Sequence, residues 1–131
     1  MKRLFLFTVF SVSAIFVFIA LKPREKEATA EPNKVEYPAN VKAVIDKSCY
    51  GCHSDKGQSE DAKKALHWDK LTQLGKGKAI AKLASIAEVT EKGEMPPKKY
   101  IEKNPEAKPS AQDAAELIKW AKSESDRLLG N

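Results

Sequence analysis

The sequence predicts an all-α domain behind an apolar N-terminal segment, and three observations predict it. Apolar residues recur at helical spacing in several separate stretches, no stretch alternates with period two for long enough to make a strand, and glycine and proline fall mostly between the stretches. There is no internal repeat. With 131 residues, 42% of them hydrophobic, the chain has room for one small domain and an appendage.

Met1-Lys2-Arg3 is a short basic start, and from Leu4 to Leu21 the chain is apolar but for Thr8, Ser11 and Ser13. Such a run is near the lower limit for crossing a bilayer, about 20 residues, and longer than the usual apolar region of a signal peptide, roughly 7–15. Both readings mean export. Residues 1–21 are expected to be a signal peptide or membrane anchor that engages the membrane or the export machinery. The remainder is then periplasmic, free or held to the inner membrane by residues 4–21. Ala28-Thr29-Ala30 has the small-x-small pattern of a cleavage site, although it lies well past the run. Residues 22–37 are charged and proline-bearing without apolar periodicity, and read as a tether.

The domain is expected over 38–131. Val41, Val44, Ile45 and Ser48 share one helical stripe, so a short helix should run directly into Cys49. Ser54 to Asp61 is polar, contains Gly57, and reads as a loop. His67, Trp68, Leu71 and Leu74 suggest a second short helix stopped at Gly75. Between Lys78 and Lys92 the positions Ile80, Leu83, Ala84 and Ala87, with Ile86 beside them, predict the clearest middle helix, and Gly93 supplies its stop. Glu94-Met95-Pro96-Pro97 then forces an extended turn, because proline fixes its own backbone and biases the preceding residue away from helix. Tyr100 to Pro109 reads as irregular. Ser110 with Asp113 is a capping-box signature, and Ala114, Leu117, Ile118, Ala121, Ser125 and Leu128 form the stripe of a long final helix flanked by Trp120.

The formal net charge is +5, of which Lys2 and Arg3 contribute two. Lysines and glutamates alternate beyond them with no dense basic run and no interleaved aromatics, which argues against nucleic-acid binding. All five phenylalanines fall in the N-terminal run, at Phe5, Phe7, Phe10, Phe16 and Phe18. The domain is left with a modest core, so a bound cofactor would help it fold.

The two cysteines carry the chemistry. Cys49-Tyr50-Gly51-Cys52-His53 is the pattern of c-type haem attachment: each thiol can add to one vinyl group, and the following histidine lies under the iron. The rivals are weaker. A thioredoxin-like dithiol expects a preceding strand, and a zinc site would have to combine Cys49, Cys52, His53 and His67 at an irregular spacing. His53 is expected to be the proximal ligand, with its second ring nitrogen donating to a backbone carbonyl. For the sixth position the strong-field candidates are Met95, on a proline-stiffened loop with no helix stripe to join, and His67. Trp68, Tyr100 and Trp120 are expected to line or cap the cofactor, Trp68 and Tyr100 with a polar hydrogen for a propionate. Ile80, Leu83, Ile86, Leu117 and Ile118 are expected as the apolar wall.

Cys49 to Ser54, the run Glu88-Val89-Thr90-Glu91-Lys92-Gly93-Glu94-Met95-Pro96, then Ala107-Lys108 and Leu117-Ile118-Lys119-Trp120-Ala121 together resemble the haem-binding domain family of bacterial exported c-type cytochrome-like proteins. The resemblance spans roughly Val35 to Ala121. It implies a small helical c-type cytochrome-like domain with one covalent haem c on Cys49 and Cys52, His53 proximal, and Met95 distal. The polar stretch from Ser54 to Leu66 departs from the aromatic-rich stretch of other members. Taken together, these readings lead to the expectation of a monomeric one-electron carrier, not an enzyme, that meets redox partner proteins in the periplasm or inner membrane. A haem-based sensor or small-ligand binder with an open sixth position is the alternative.

Overall fold

The computed structural model describes residues 34–130, and over that range the chain is helical with no strand. The apolar N-terminal run and the proposed cleavage pattern lie outside the described residues. Among the described residues no helix is long and apolar enough to cross a membrane. The helices are α1 (Ala39–Ser48), α2 (Glu60–Ala65), α3 (Trp68–Leu71), α4 (Lys76–Glu91), α5 (Lys98–Lys103) and α6 (Ala111–Leu129), with a 3-10 turn at Pro105–Ala107.

Helices α4 and α6 share the largest interface, and α1 lies against α6. Each presents a stripe. α1 buries Val41, Val44, Ile45 and Ser48, the four positions its sequence spacing selects. α4 buries Ala79, Leu83, Ile86 and Ala87, whereas Ala84 is exposed and Ile80 only half-buried. The observed stripe is rotated slightly from the expected one: Ala79 is buried in place of Ala84, and two alanines give periodicity little to choose by. Leu83 is fully buried at the centre of the core, and a leucine so placed contributes about 1.5–3 kcal/mol.

α6 begins at the predicted capping box: Ser110 Oγ accepts from the Asp113 N–H and Asp113 Oδ2 accepts from the Ser110 N–H, both at 3.0 Å. Its buried face is Leu117, Trp120, Ala121, Glu124 and Leu128. A buried glutamate on that face is explained by its partners. Glu124 Oε1 accepts from the Glu36 N–H at 2.8 Å, and the Arg127 guanidinium bonds both carboxylate oxygens at 2.8 Å. Trp120 Nε1–H donates to the Glu36 carbonyl at 3.0 Å. Val35 is buried beside these bonds. The segment from Val35 to Tyr37 is thus part of the domain, and the boundary expected at residue 38 moves upstream.

Tyr37, Trp68 and Trp120 form one aromatic cluster, with ring centroids 5.7–6.4 Å apart. Burial, chiefly, and the charge of Asp69 push the Tyr37 hydroxyl far above its ordinary range, so it stays protonated and donates to the Trp68 carbonyl at 3.1 Å. Two helices differ from expectation. α2 lies where a loop was expected to give way directly to a helix around His67. It is capped by Ser59, whose Oγ accepts from the Ala62 N–H, and carries Glu60 and Asp61 at its N-terminus and Lys63 and Lys64 at its end. It buries no residue, so apolar periodicity was blind to it. α5 forms within the stretch expected to be irregular, started by Pro97 at its N-cap, and likewise buries nothing.

Candidate haem site

α1 delivers the Cys49–His53 motif. The Cys49 and Tyr50 N–H groups both donate to the Ile45 carbonyl, and those of Cys52 and His53 return to the Cys49 carbonyl, so the pentapeptide winds tightly off the end of the helix. The next turn closes by contact. Gly57 is buried, and a Cβ built there would stand 2.3 Å from the Cys52 carbonyl oxygen, a separation only glycine avoids. Gly51 is more forgiving: a Cβ would meet the Tyr100 hydroxyl at 3.1 Å.

A cleft opens beside this motif, with a cavity volume of about 120 Å³. Cys49, Cys52, His53 and Met95 all line it. Both cysteines are free thiols. Burial, with a smaller contribution from the neighbouring Cys52, pushes the Cys49 thiol up to about 12, so it is held as the neutral thiol.

His53 is held through one edge. Its Nδ1 lies 2.8 Å from the Ala62 carbonyl oxygen and 3.0 Å from that of Leu66. Both partners are acceptors, so Nδ1 carries the proton and Nε2 keeps its lone pair, the tautomer an iron ligand needs. The carbonyls come from α2 and from the residue that ends it. The Trp68 N–H donates to the His53 carbonyl at 2.9 Å and fixes the same stretch from behind.

Met95 is positioned by the end of α4. Gly93 takes φ 65°, the Gly93 N–H donates to the Thr90 carbonyl, and the Glu94 N–H donates to the Val89 carbonyl. This is the Schellman arrangement, in which a left-handed glycine turns the chain sharply. The turn sends Met95 to the cleft with Pro96 and Pro97 behind it, and leaves the methionine 41% exposed at the rim.

Trp68 and Tyr100 also line the cleft. Trp120 does not. It stands behind Trp68 in the aromatic cluster, its indole N–H already bonded to Glu36. Of the expected apolar wall, Ile86 and Leu117 reach the cleft, while Leu83 is buried in the core and Ile80 and Ile118 pack partly buried against it. His67 is not among the lining residues; its Nε2 lies 3.1 Å from Asp55 Oδ1 instead. Periodicity also passed over Lys82, which points along α4 into the cleft and donates to the Ala65 carbonyl.

The lining fits a flat apolar macrocycle with a polar edge. Among its residues, the Trp68 Nε1–H and Ser48 Oγ are buried without a hydrogen-bond partner, each an orphan that a propionate or a bound water would satisfy. Two thiols, a tautomer-fixed imidazole and a thioether share one cavity. The fold and this cleft define the class: a small helical cofactor domain with haem-type ligands.

The model of the haem-binding domain family matches residues 57–123, more than half of the chain, and the chain belongs to that family. The match takes in Trp68, Met95 and Tyr100 but begins beyond the Cys49–His53 motif. No curated protein and no solved structure matches the chain.

Proposed function

We propose that this haem-binding domain is a single-haem c-type cytochrome of the periplasm that carries one electron at a time. In this reading Cys49 and Cys52 hold the haem through thioethers, and His53 and Met95 are its axial ligands. The observation that carries it is the doubly accepted Nδ1–H of His53, which leaves Nε2 as the ring's only free donor of an electron pair, in a cleft shared with both thiols and Met95.

Bound haem would supply a reversible one-electron couple. The chain's own contribution is to hold the two ligands and to exclude water. The Ala62 and Leu66 carbonyls orient the imidazole. Ile86, Leu117 and the prolines after Met95 keep the site apolar. With both axial positions filled no substrate reaches iron, so the reading is a carrier and not an enzyme. A methionine sixth ligand favours the ferrous state. Partners are then redox proteins of the periplasm or inner membrane, met by a monomer that residues 1–21 have exported or keep anchored.

A second reading is favoured by one observation, the 41% exposure of Met95. A thioether at the rim that leaves iron easily would make the domain a sensor or binder of small ligands. Carbon monoxide added to the reduced, haem-loaded protein separates the two. No binding without denaturant supports the carrier; rapid stoichiometric binding rejects it in favour of the sensor. A pyridine haemochrome spectrum of the same sample tests whether both vinyl groups have reacted.

A further inference from the structure

Outside the haem cleft, Asp55, His67 and Asp69 each offer one ligand atom, and the three atoms lie within 4.8 Å of one another. Their arrangement is unusual at the imidazole. The His67 side chain is about nine-tenths buried, its Nε2 sits 3.1 Å from Asp55 Oδ1, and its Nδ1 is buried with no hydrogen-bond partner. Across from Nδ1 stands Asp69 Oδ2, at 3.9 Å. That is too far for a hydrogen bond. A tetrahedral zinc with bonds of about 2.0–2.2 Å holds neighbouring ligand atoms roughly 3.4 Å apart, so a shift of about half an ångström would bring both atoms onto one ion.

The carboxylate side is prepared. Asp69 accepts from the Tyr50 hydroxyl through Oδ1 and from the Asp55 N–H at 2.8 Å through Oδ2. Those bonds, the Tyr50 one first, hold its carboxyl below the usual aspartate range, so it is an anion. Asp55 is an exposed second carboxylate on the far edge of the ring. If Nε2–H donates to Asp55, the Nδ1 lone pair and the Asp69 anion face each other across the gap, and a cation between them relieves the repulsion. A carboxylate that orients a ligating imidazole through its other nitrogen is the usual support of such a ligand.

We infer that His67 Nδ1 and Asp69 Oδ2, with Asp55 orienting the imidazole from behind, form a site for a divalent transition-metal ion of the zinc class, with water in the remaining positions. One imidazole with a carboxylate and water suits zinc or manganese better than the soft ions that thiolates select. The site sits where a structural ion would act on the haem loop. Asp55 lies two residues after His53, and Trp68, whose N–H is bonded to the His53 carbonyl, lies between His67 and Asp69. The ion would tie the start of that loop to its end.

The test is a calorimetric titration of the haem-loaded full chain with Zn²⁺, in which Cys49 and Cys52 are consumed and cannot compete. One ion per chain is expected, with affinity falling at least tenfold in Asp55→Asn and in His67→Asn. Asp55 is exposed, so its variant folds as the parent does. The visible spectrum of His67→Asn should match the parent's. Absence of zinc binding would mean that the cluster is an ordinary polar contact of His67 with two aspartates, and would overturn the site. Binding unchanged in both variants would overturn it as well, as would loss of the low-spin spectrum in His67→Asn, which would make His67 an iron ligand.

Discussion

The Nδ1 atom of His53 stands 2.8 Å from the carbonyl oxygen of Ala62, a residue on a helix that buries none of its side chains. The orientation of the proposed iron ligand therefore depends on one of the least supported elements of the fold. Ser59→Ala removes the cap of α2, a loss of roughly 0.5–2 kcal/mol. Because α2 adds nothing to the core, that loss should stay local. Amide exchange should accelerate over residues 62–66 while the amides of α4 and α6 keep their protection, as hydrogen-exchange NMR can measure.

Met95 offers a clean separation of folding from ligation. At 41% exposure it contributes little to the core, so Met95→Ala should change the stability of the unloaded domain by less than about 1 kcal/mol. In the loaded protein the same change should convert a low-spin spectrum to a high-spin one and open the iron to carbon monoxide. Unaltered oxidised and reduced spectra would show that another group is the sixth ligand.

Gly57 is the position where the smallest change should have the largest effect. A methyl group there meets the Cys52 carbonyl at 2.3 Å, and backbone atoms cannot step aside as a flexible side chain would. Gly57→Ala should destabilise the domain by about 1–3 kcal/mol, the usual cost of overpacking. If haem is attached as proposed, the same change should also lower its yield, since the displaced atoms belong to Cys52. Thermal melts together with the haem-to-protein absorbance ratio measure both.

Glu124 makes stability depend on acid. Burial alone would raise its carboxyl, but the Arg127 bonds and the Glu36 N–H outweigh that and hold it below the ordinary range. The stabilisation is fully present above the unfolded glutamate value, about 4.3, and is lost as pH falls through the depressed folded value. Glu124→Gln should lower stability near pH 7, by about 1–3 kcal/mol for a buried charged hydrogen bond. The gap between variant and parent should narrow below pH 4. Denaturant melts at several pH values check the sign.

Several of these positions were legible in the sequence and others were not. The α1 stripe, the capping box at Ser110 and the glycine stop at Gly93 could be read because each is a local rule acting over a few residues. The motif at Cys49 and the isolated Met95, which line one cleft, stand out in the sequence because so few residues of the chain can bind iron. Glu124 was not, because one of its two partners, the Glu36 N–H, is a backbone group far away in sequence. The acceptors of His53 are also backbone atoms, which no residue type announces. α2 did carry a signal, Ser59 followed by acidic and then basic residues, but a search for apolar spacing passes over it. His67 illustrates the opposite error. A histidine near the motif looked like a rival iron ligand, yet the turn into α3 faces it toward two aspartates.

The two helices that bury nothing, α2 and α5, bracket the cleft from its His53 side and its Tyr100 side. Helices without a buried face are the first parts of a domain to open. Without a cofactor these two have only a few hydrogen bonds to hold them, and a protease would find them readily. Once it is in place, its ring becomes the face against which they can lie. Loading would then double as quality control, with unfilled chains degraded at α2 and α5 and filled ones spared, so that the surviving population is the competent one without any separate inspection step.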